Sequence, residues 1–329
     1  MFDVITFGSA TKDVFLRSKE SVVVDSDQFT TGKGVCFSLG SKIKTEEVYL
    51  TSGGGGTNTA VTLAAQGFKV AYCGKVGRDE AGEGILRELE KFGVDTDLVS
   101  STDEKPTNHS VIIDVPGIDR TILVYRGASD FHSKEDIFFE NMKARWFYLA
   151  PFSVSSEPLF YDLIEYAKEN NISVMANPSK SQLRDPKIKE ALRHVDILLL
   201  NMEESSILTG IDYQNEEEVI KNVIGFSKNI TLVTQGVDGV IAFSNNTFYR
   251  GKPVFPDAND RTGAGDSFGS GFLSEFIRSS NVGESLQLGI ANSTACLQKA
   301  GAKNGLLKKG DSYKENPLIS SDLLENLRW

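Results

Sequence analysis

Five short apolar or β-branched runs constrain this chain most: DVITFG (3–8), FKVAYCG (68–74), NISVMAN (171–177), VDILLLN (195–201) and ITLVTQG (230–236), separated by segments of helical periodicity. Strands that alternate with helices call for a parallel sheet, because each crossover to a parallel neighbour needs a dozen or more residues, usually a helix. The expected fold is an α/β doubly wound, mostly parallel sheet with helices on both faces. Residues 57–66 and 81–92 read as helices that end at Gly67 and Gly93, where a left-handed cap favours glycine, and 157–169 as a helix started by Ser-Ser-Glu-Pro.

Two segments break this rhythm. Within 13–50 and 97–126 lie the alternating stretches DVFLRSKESVVV, EEVYLTS, HSVIIDV and RTILVYR, with turn residues between them. They predict short antiparallel strands. Neither segment alone buries much core, so the expectation is one domain over 1–329 in which the two meet as a small β-sheet lid inserted in the α/β core.

Composition narrows the function classes. The 329 residues carry 35 Lys and Arg against 45 Asp and Glu, a net charge of −10, with no basic block, which argues against a sequence-independent hold on nucleic acid. Cys36, Cys73 and Cys296 are too few and too dispersed for a disulfide framework or a Cys-rich zinc site. No apolar run approaches the roughly 18 residues of a membrane span. The first ten residues, MFDVITFGSA, lack the pattern of a secretory signal, so the expected location is cytoplasmic.

The chemistry concentrates in three places. In DRTGAGDSFGSGFL (260–273), glycines lead into a helix whose first-turn amides have no internal partners, so Gly263, Ala264 and Gly265 form a prospective anion hole. Asp266 then has two readings. It complements the helix dipole, or, beside the hole, it takes a proton from a hydroxyl that attacks a phosphoryl group. In TSGGGGTNTAVTLAAQG (51–67) four consecutive glycines suit close backbone approach to a ligand, with Asn58 as a donor and acceptor there or as a helix cap. After the strand DILLL, Asn201 and Glu204 are a strand-end cap or a place for Mg²⁺ held largely through water. Asn177, Lys180, Thr234, Gly236 and Gly239 follow strands at the same sheet edge. No P-loop or G-x-S-x-G elbow occurs, and FGSATKD lacks the G-x-G-x-x-G of a dinucleotide site. His109, His132 and His194 have no metal-ligand spacing and read as structural.

Two motifs, GGGGTNTAVTLAAQGFKVAYCGKVG (53–77) and DRTGAGDSFGSGFL, make the chain resemble the ribokinase-like (PfkB) family of sugar and nucleoside kinases along nearly its whole length. The resemblance implies a ribokinase-like three-layer αβα fold and ATP-dependent phosphorylation of a small sugar or sugar-like acceptor. It implies Asp266 as general base and Gly263, Ala264 and Gly265 as the amide cradle. Asp13, Gly54, Gly55 and Asn58 would face the acceptor, and Asn177, Thr234, Gly236, Gly239 and Asn292 the nucleotide. Asn201 and Glu204 match an N-x-x-E motif that positions Mg²⁺, while Asp260 and Thr262 lie where some members bind a monovalent cation, usually K⁺. Arg261 replaces a small residue of the signature, Gly55 stands where ribokinases carry a lysine, and 25–52 is longer than a minimal lid.

Other acceptors stay open. A nucleoside kinase would need an apolar base pocket, for which Phe15, Phe29, Phe37 and Tyr49 are candidates, and a phosphosugar kinase would need cations such as Arg17, Arg120 and Arg126. A catalytically silent ligand-binding protein would show a lost base or a broken anion hole, and the sequence has neither. Exposed lid strands would suit a homodimer.

Overall fold

The computed structural model describes residues 1–29, 32–115, 120–253, 262–313 and 318–323. Among them, a nine-stranded sheet forms the centre, in the spatial order β6 (Val70–Cys73), β1 (Phe2–Phe7), β11 (Ala144–Leu149), β12 (Ser173–Ala176), β13 (Ile197–Asn201), β14 (Ile230–Thr234), β15 (Val240–Ser244), β16 (Thr247–Lys252) and β17 (Leu318–Leu323). The first six run parallel and the last three add antiparallel.

Alternate residues of each parallel strand enter cores on opposite faces, the period of two inherent in a strand. Phe147 and Leu149 join Leu198 and Leu200 on the face covered by α3 (Glu157–Glu169), α4 (Ile188–Leu192), α5 (Met202–Thr209) and α6 (Glu216–Val223). Tyr148 joins Ile197 and Leu199 on the face covered by α1 (Gly55–Ala65), α2 (Glu80–Lys91), α7 (Ala264–Ser279) and α8 (Val282–Leu297). Burial on both faces is why DILLL is apolar without alternation. No helix among the described residues is long and apolar enough to cross a membrane.

A separate four-stranded sheet has the order β10 (Thr121–Tyr125), β9 (Asn108–Asp114), β2 (Thr11–Arg17), β5 (Glu47–Gly53). Two outer pairings are antiparallel as expected, but β2 and β9 run parallel. The chain between them passes through α1, β6 and α2, a crossover long enough to release the hairpin constraint. Smaller pairs are β3 (Val22–Asp25) with β4 (Lys33–Cys36) and β7 (Lys75–Gly77) with β8 (Ser100–Thr102).

Helix α1 starts at Gly55, two residues before the glycine-rich sequence suggested, and its first turn is pressed onto the end of β1. A Cβ on Gly56 would lie 2.7 Å from Tyr72 Cε2 and 2.9 Å from the Gly8 backbone. Thr6 Oγ1 donates to the Gly56 carbonyl at 3.0 Å and Tyr72 OH to the Gly8 carbonyl at 2.9 Å, which fixes this approach. Gly56→Ala therefore lowers stability by about 1–3 kcal/mol through overpacking. A thermal melt checks this, and an unchanged Tm would mean the helix slides to make room at no cost.

Candidate active site

Helix α7 is entered through Gly263, which caps it in the left-handed conformation (φ 76°), and the space a Cβ would need there is filled by Ala302 at 2.4 Å. Any other residue at 263 meets both objections. The first-turn residues Ala264 and Gly265 line a cleft of about 230 Å³ together with Thr234, Gly236 and Gly239. Apart from its chain neighbours and its own helix backbone, nothing lies within 4 Å of where a Gly265 Cβ would stand, so this positive helix end is open to the cleft. The far wall is apolar and hydroxyl-bearing: Ile290, Ser293, Thr294 and Leu297 of α8, one face of that helix, with Phe268 and Val240.

Asp266 sits in the same turn, on the side toward α1. Its Oδ2 accepts from Asn58 Nδ2 at 2.8 Å, and its Oδ1 lies 3.4 Å from where a Gly55 Cβ would be, a point also 3.3 Å from Pro151 Cδ. The buried Asn58 is not a helix cap, since Gly54 holds that position. Asp13 is buried in β2, with Oδ2 only 2.2 Å from where a Cβ on Gly53 would stand, so Gly53 must lack a side chain for the carboxylate to lie against this backbone. Gly54, Gly55, Asn58 and Asp266 thus come together at one end of α1, with Asp13 beside them on the adjoining sheet.

A lysine completes this cluster. Lys303, in the turn after α8, is 6% exposed; its Nζ donates to Ser52 Oγ and lies 3.7 Å from Glu88 Oε2. Burial pulls its pKa down and Glu88, Asp13 and Asp266 pull it back up, leaving it lowered to about 8. Asp266 is shifted the other way. Burial raises its pKa, and the Asn58 hydrogen bond and the Lys303 charge oppose that rise.

The model of the pfkB family of carbohydrate kinases matches residues 19–309. The chain belongs to this family. It is 25% identical over 271 residues to the ribokinase of Haemophilus influenzae, covering 81% of this chain and 88% of that protein. It superimposes on the Arabidopsis thaliana ribokinase complexed with ribose and ATP with a TM-score of 0.76 at 21% identity, covering 94% and 96% of the two chains. On the Methanocaldococcus jannaschii nucleoside kinase the TM-score is 0.75 at 18% identity, covering 93% and 95%. The architecture is the ribokinase fold.

Not every residue expected at the nucleotide of this PfkB kinase reaches the cleft. Asn292 is fully buried; its Nδ2 donates to the Ser267 carbonyl at 2.7 Å and its Oδ1 accepts from Leu307 N at 2.8 Å, so it ties α8 to α7. The neighbouring Ser293 and Thr294 line the cleft in its place. Asn177 stands one strand away, donating to the Leu199 carbonyl at 2.9 Å. Asn201 and Glu204 form a capping box, Asn201 Oδ1 accepting from Glu204 N and Glu204 Oε2 from Asn201 N, both at 2.8 Å. Burial raises the Glu204 pKa, against the hydrogen bond from Asn201 and the charge of Lys180, whose Nζ pairs with Glu203 at 2.6 Å. Thr262 heads the turn into Gly263, and Asp260 and Arg261 lie outside the described residues. Sequence reading missed Lys303 and the α8 face; only the spacing 290, 293, 294, 297 signalled the latter.

The Asp266 shift has a stability consequence. A carboxyl whose folded pKa lies above its unfolded value favours the fold when protonated, an advantage fully present below the unfolded pKa and lost as pH rises through the folded value. Asp266→Asn is therefore expected to melt above the native kinase at pH 7, the gap closing as pH falls toward the ordinary carboxylate value of 3.8. A native protein that melts higher at pH 7 would show the ionised carboxylate to be stabilising.

Proposed function

We propose that this kinase transfers the γ-phosphoryl group of ATP to a hydroxyl of a small sugar or sugar-like acceptor, with Asp266 as general base. One observation carries this reading. A single helical turn presents Ala264 and Gly265 to the cleft on one side and Asp266 to the Asn58 and Gly55 wall on the other. A nucleotide in the cleft and an acceptor against that wall would meet at this turn. The acceptor oxygen attacks the γ-phosphorus in line, its proton passes to the Asp266 carboxylate, and ADP leaves with the electrons of the broken bond. The first-turn amides stabilise charge on the transferring oxygens, and Asp13 accepts from other acceptor hydroxyls.

The apolar wall of the cleft suits a flat base, with Ser293 and Thr294 as polar partners. Mg²⁺ fits as an ion carried mainly by phosphates and water: among the described residues no three acidic, His or Cys side chains converge to hold a metal, and Asn201 and Glu204 offer hard oxygen and amide groups at the strand ends. When bound, the ion neutralises charge on the phosphate oxygens. We read the four-stranded sheet as a lid that excludes water on closure. A phosphosugar acceptor is less well supported, because Arg17 is held by Asp114 at 2.6 Å and Glu47 at 3.1 Å.

The edges of that sheet support a homodimer. All of β10 is exposed, with Leu123 at 56% and Val124 at 58%, so apolar residues stand on both faces of that open edge, and Leu50 of β5, at the opposite edge, is 64% exposed. Sedimentation is expected to give a dimer that Leu123→Asp converts to monomer; a native monomer at micromolar concentration removes this part of the proposal.

For the reaction itself, ADP release is measured with Mg-ATP against free sugars, sugar acids, phosphosugars and nucleosides. Asp266→Asn should keep ATP affinity and lose turnover by about 10²–10⁴-fold. Near-native kcat in the variant rules out the base, and turnover confined to nucleosides transfers the reading to a nucleoside kinase.

A further inference from the structure

We infer that a second, polar pocket beside Asp266 seats a hydroxyl at the far end of an uncharged sugar acceptor, and that Asp130 and His132 hold it. This rests on the kinase reading above and assigns the acceptor's distal end. The pocket, of about 20 Å³, lies among Gly8, Ser9, Asn108, Asp130, His132 and Pro151. That volume accommodates about one water-sized group. None of these residues lines the nucleotide cleft. Pro151 joins the pocket to the reacting centre, since its Cδ and Asp266 Oδ1 lie 3.3 and 3.4 Å from the same point, where a Cβ on Gly55 would stand.

The pocket has the marks of a site awaiting a polar group. Asp130 Oδ1 and His132 Nε2 are both buried without a hydrogen-bond partner in the protein, a state that native proteins avoid unless something else supplies the bond. The turn that carries them is held from below. Asn108 Oδ1 accepts from Gly127 N at 3.0 Å and Ser129 N at 3.1 Å, and Ser129 Oγ donates to the Lys75 carbonyl at 2.9 Å and accepts from Ala10 N at 3.2 Å. The two orphan atoms are therefore presented by a fixed frame.

The chemistry selects the ligand. Burial holds His132 down to a pKa of about 4, against Asp136, which raises it, with Lys75 adding to the depression, so the ring is neutral at pH 7. A neutral imidazole and a carboxylate lining one pocket suit a hydroxyl, which donates to Asp130 Oδ1 and accepts from His132 Nε2–H, and the carboxylate repels a phosphate or another carboxylate. Arg126 also lines the pocket but does not reverse this. Its Nη1 lies 3.8 Å from Asp130 Oδ1, and its exposed charge is set against that carboxylate. A purine or pyrimidine is excluded by size, since the pocket holds only about one water-sized group.

The test is calorimetric titration of the full chain, without nucleotide, with D-ribose, D-fructose, D-glucose and fructose 6-phosphate, on the native protein, Asp130→Ala and His132→Phe, with ADP release measured in parallel. Thermal melting identifies a variant that fails to fold, and the other then carries the result. A free sugar is expected to bind, with Kd weakened roughly tenfold or more in each folded variant, KM for ATP unchanged, and fructose 6-phosphate weaker than fructose. Sugar affinity within twofold of native in the variants overturns the inference. So does tighter binding of the phosphorylated sugar, or no binding of any free sugar. The two readings fail separately: normal acceptor KM in the variants removes the pocket and leaves the kinase, whereas variant-sensitive sugar binding without ADP release keeps the pocket and removes the proposed reaction.

Discussion

The site depends on one hydrogen bond between two helices, from Asn58 Nδ2 to Asp266 Oδ2 at 2.8 Å. It crosses 208 residues of sequence and sets the distance between the first turns of α1 and α7. The bond can form only because both helix starts are pressed close to their neighbours, α1 through Gly56 against Tyr72 and Gly8, and α7 through Gly263 against Ala302. An enlarged side chain at either glycine would push the helices apart before any reacting group was touched. The same bond supports ionised Asp266 in surroundings that disfavour charge.

Among the described residues, charge around this bond is balanced by one buried cation. Lys303 acts electrostatically on Asp13, Glu88 and Asp266, and each of these carboxylates raises the lysine pKa while burial lowers it. An ammonium without such neighbours would release its proton on burial, and the carboxylates without the ammonium would repel one another. The cluster is therefore held as a set. Ser52 bridges it, accepting from Lys303 and donating to Glu88, so the strand that ends at Gly53 is tied to the charged cluster around Asp266.

What could be read from the sequence follows from how local each determinant is. Strands buried on both faces announce themselves, as DILLL does. Helix α3 was read to the residue because Pro158 and the flanking serines fix its start. Strand β11 was missed: ARWFYL begins with a partly exposed edge and carries Arg145, which pairs with Asp3 at 3.3 Å, so its outer half lacks the apolar signal of its neighbours. The parallel pairing of β2 with β9 and the inward turn of Lys303 are set by contacts more than 90 residues apart. No local pattern encodes them. Asn292, placed at the nucleotide by resemblance alone, is buried between α7 and α8 while Ser293 and Thr294 line the cleft, because a shift of one position on a helix turns a side chain by about 100°.

The N-x-x-E motif after β13 shows why a correct motif can carry two meanings. Three-residue spacing brings a side chain at the cap back onto the third helical amide, and an acidic residue there returns the favour. An amide and a carboxylate at a strand end are also the groups that a hydrated divalent ion would use. In this kinase the capping use is explicit in two 2.8 Å bonds. The two uses reinforce each other. A carboxylate already fixed by the Asn201 amide loses little conformational freedom on meeting a ligand, so the cap that shapes α5 also preorganises the Glu204 oxygens at the end of β13.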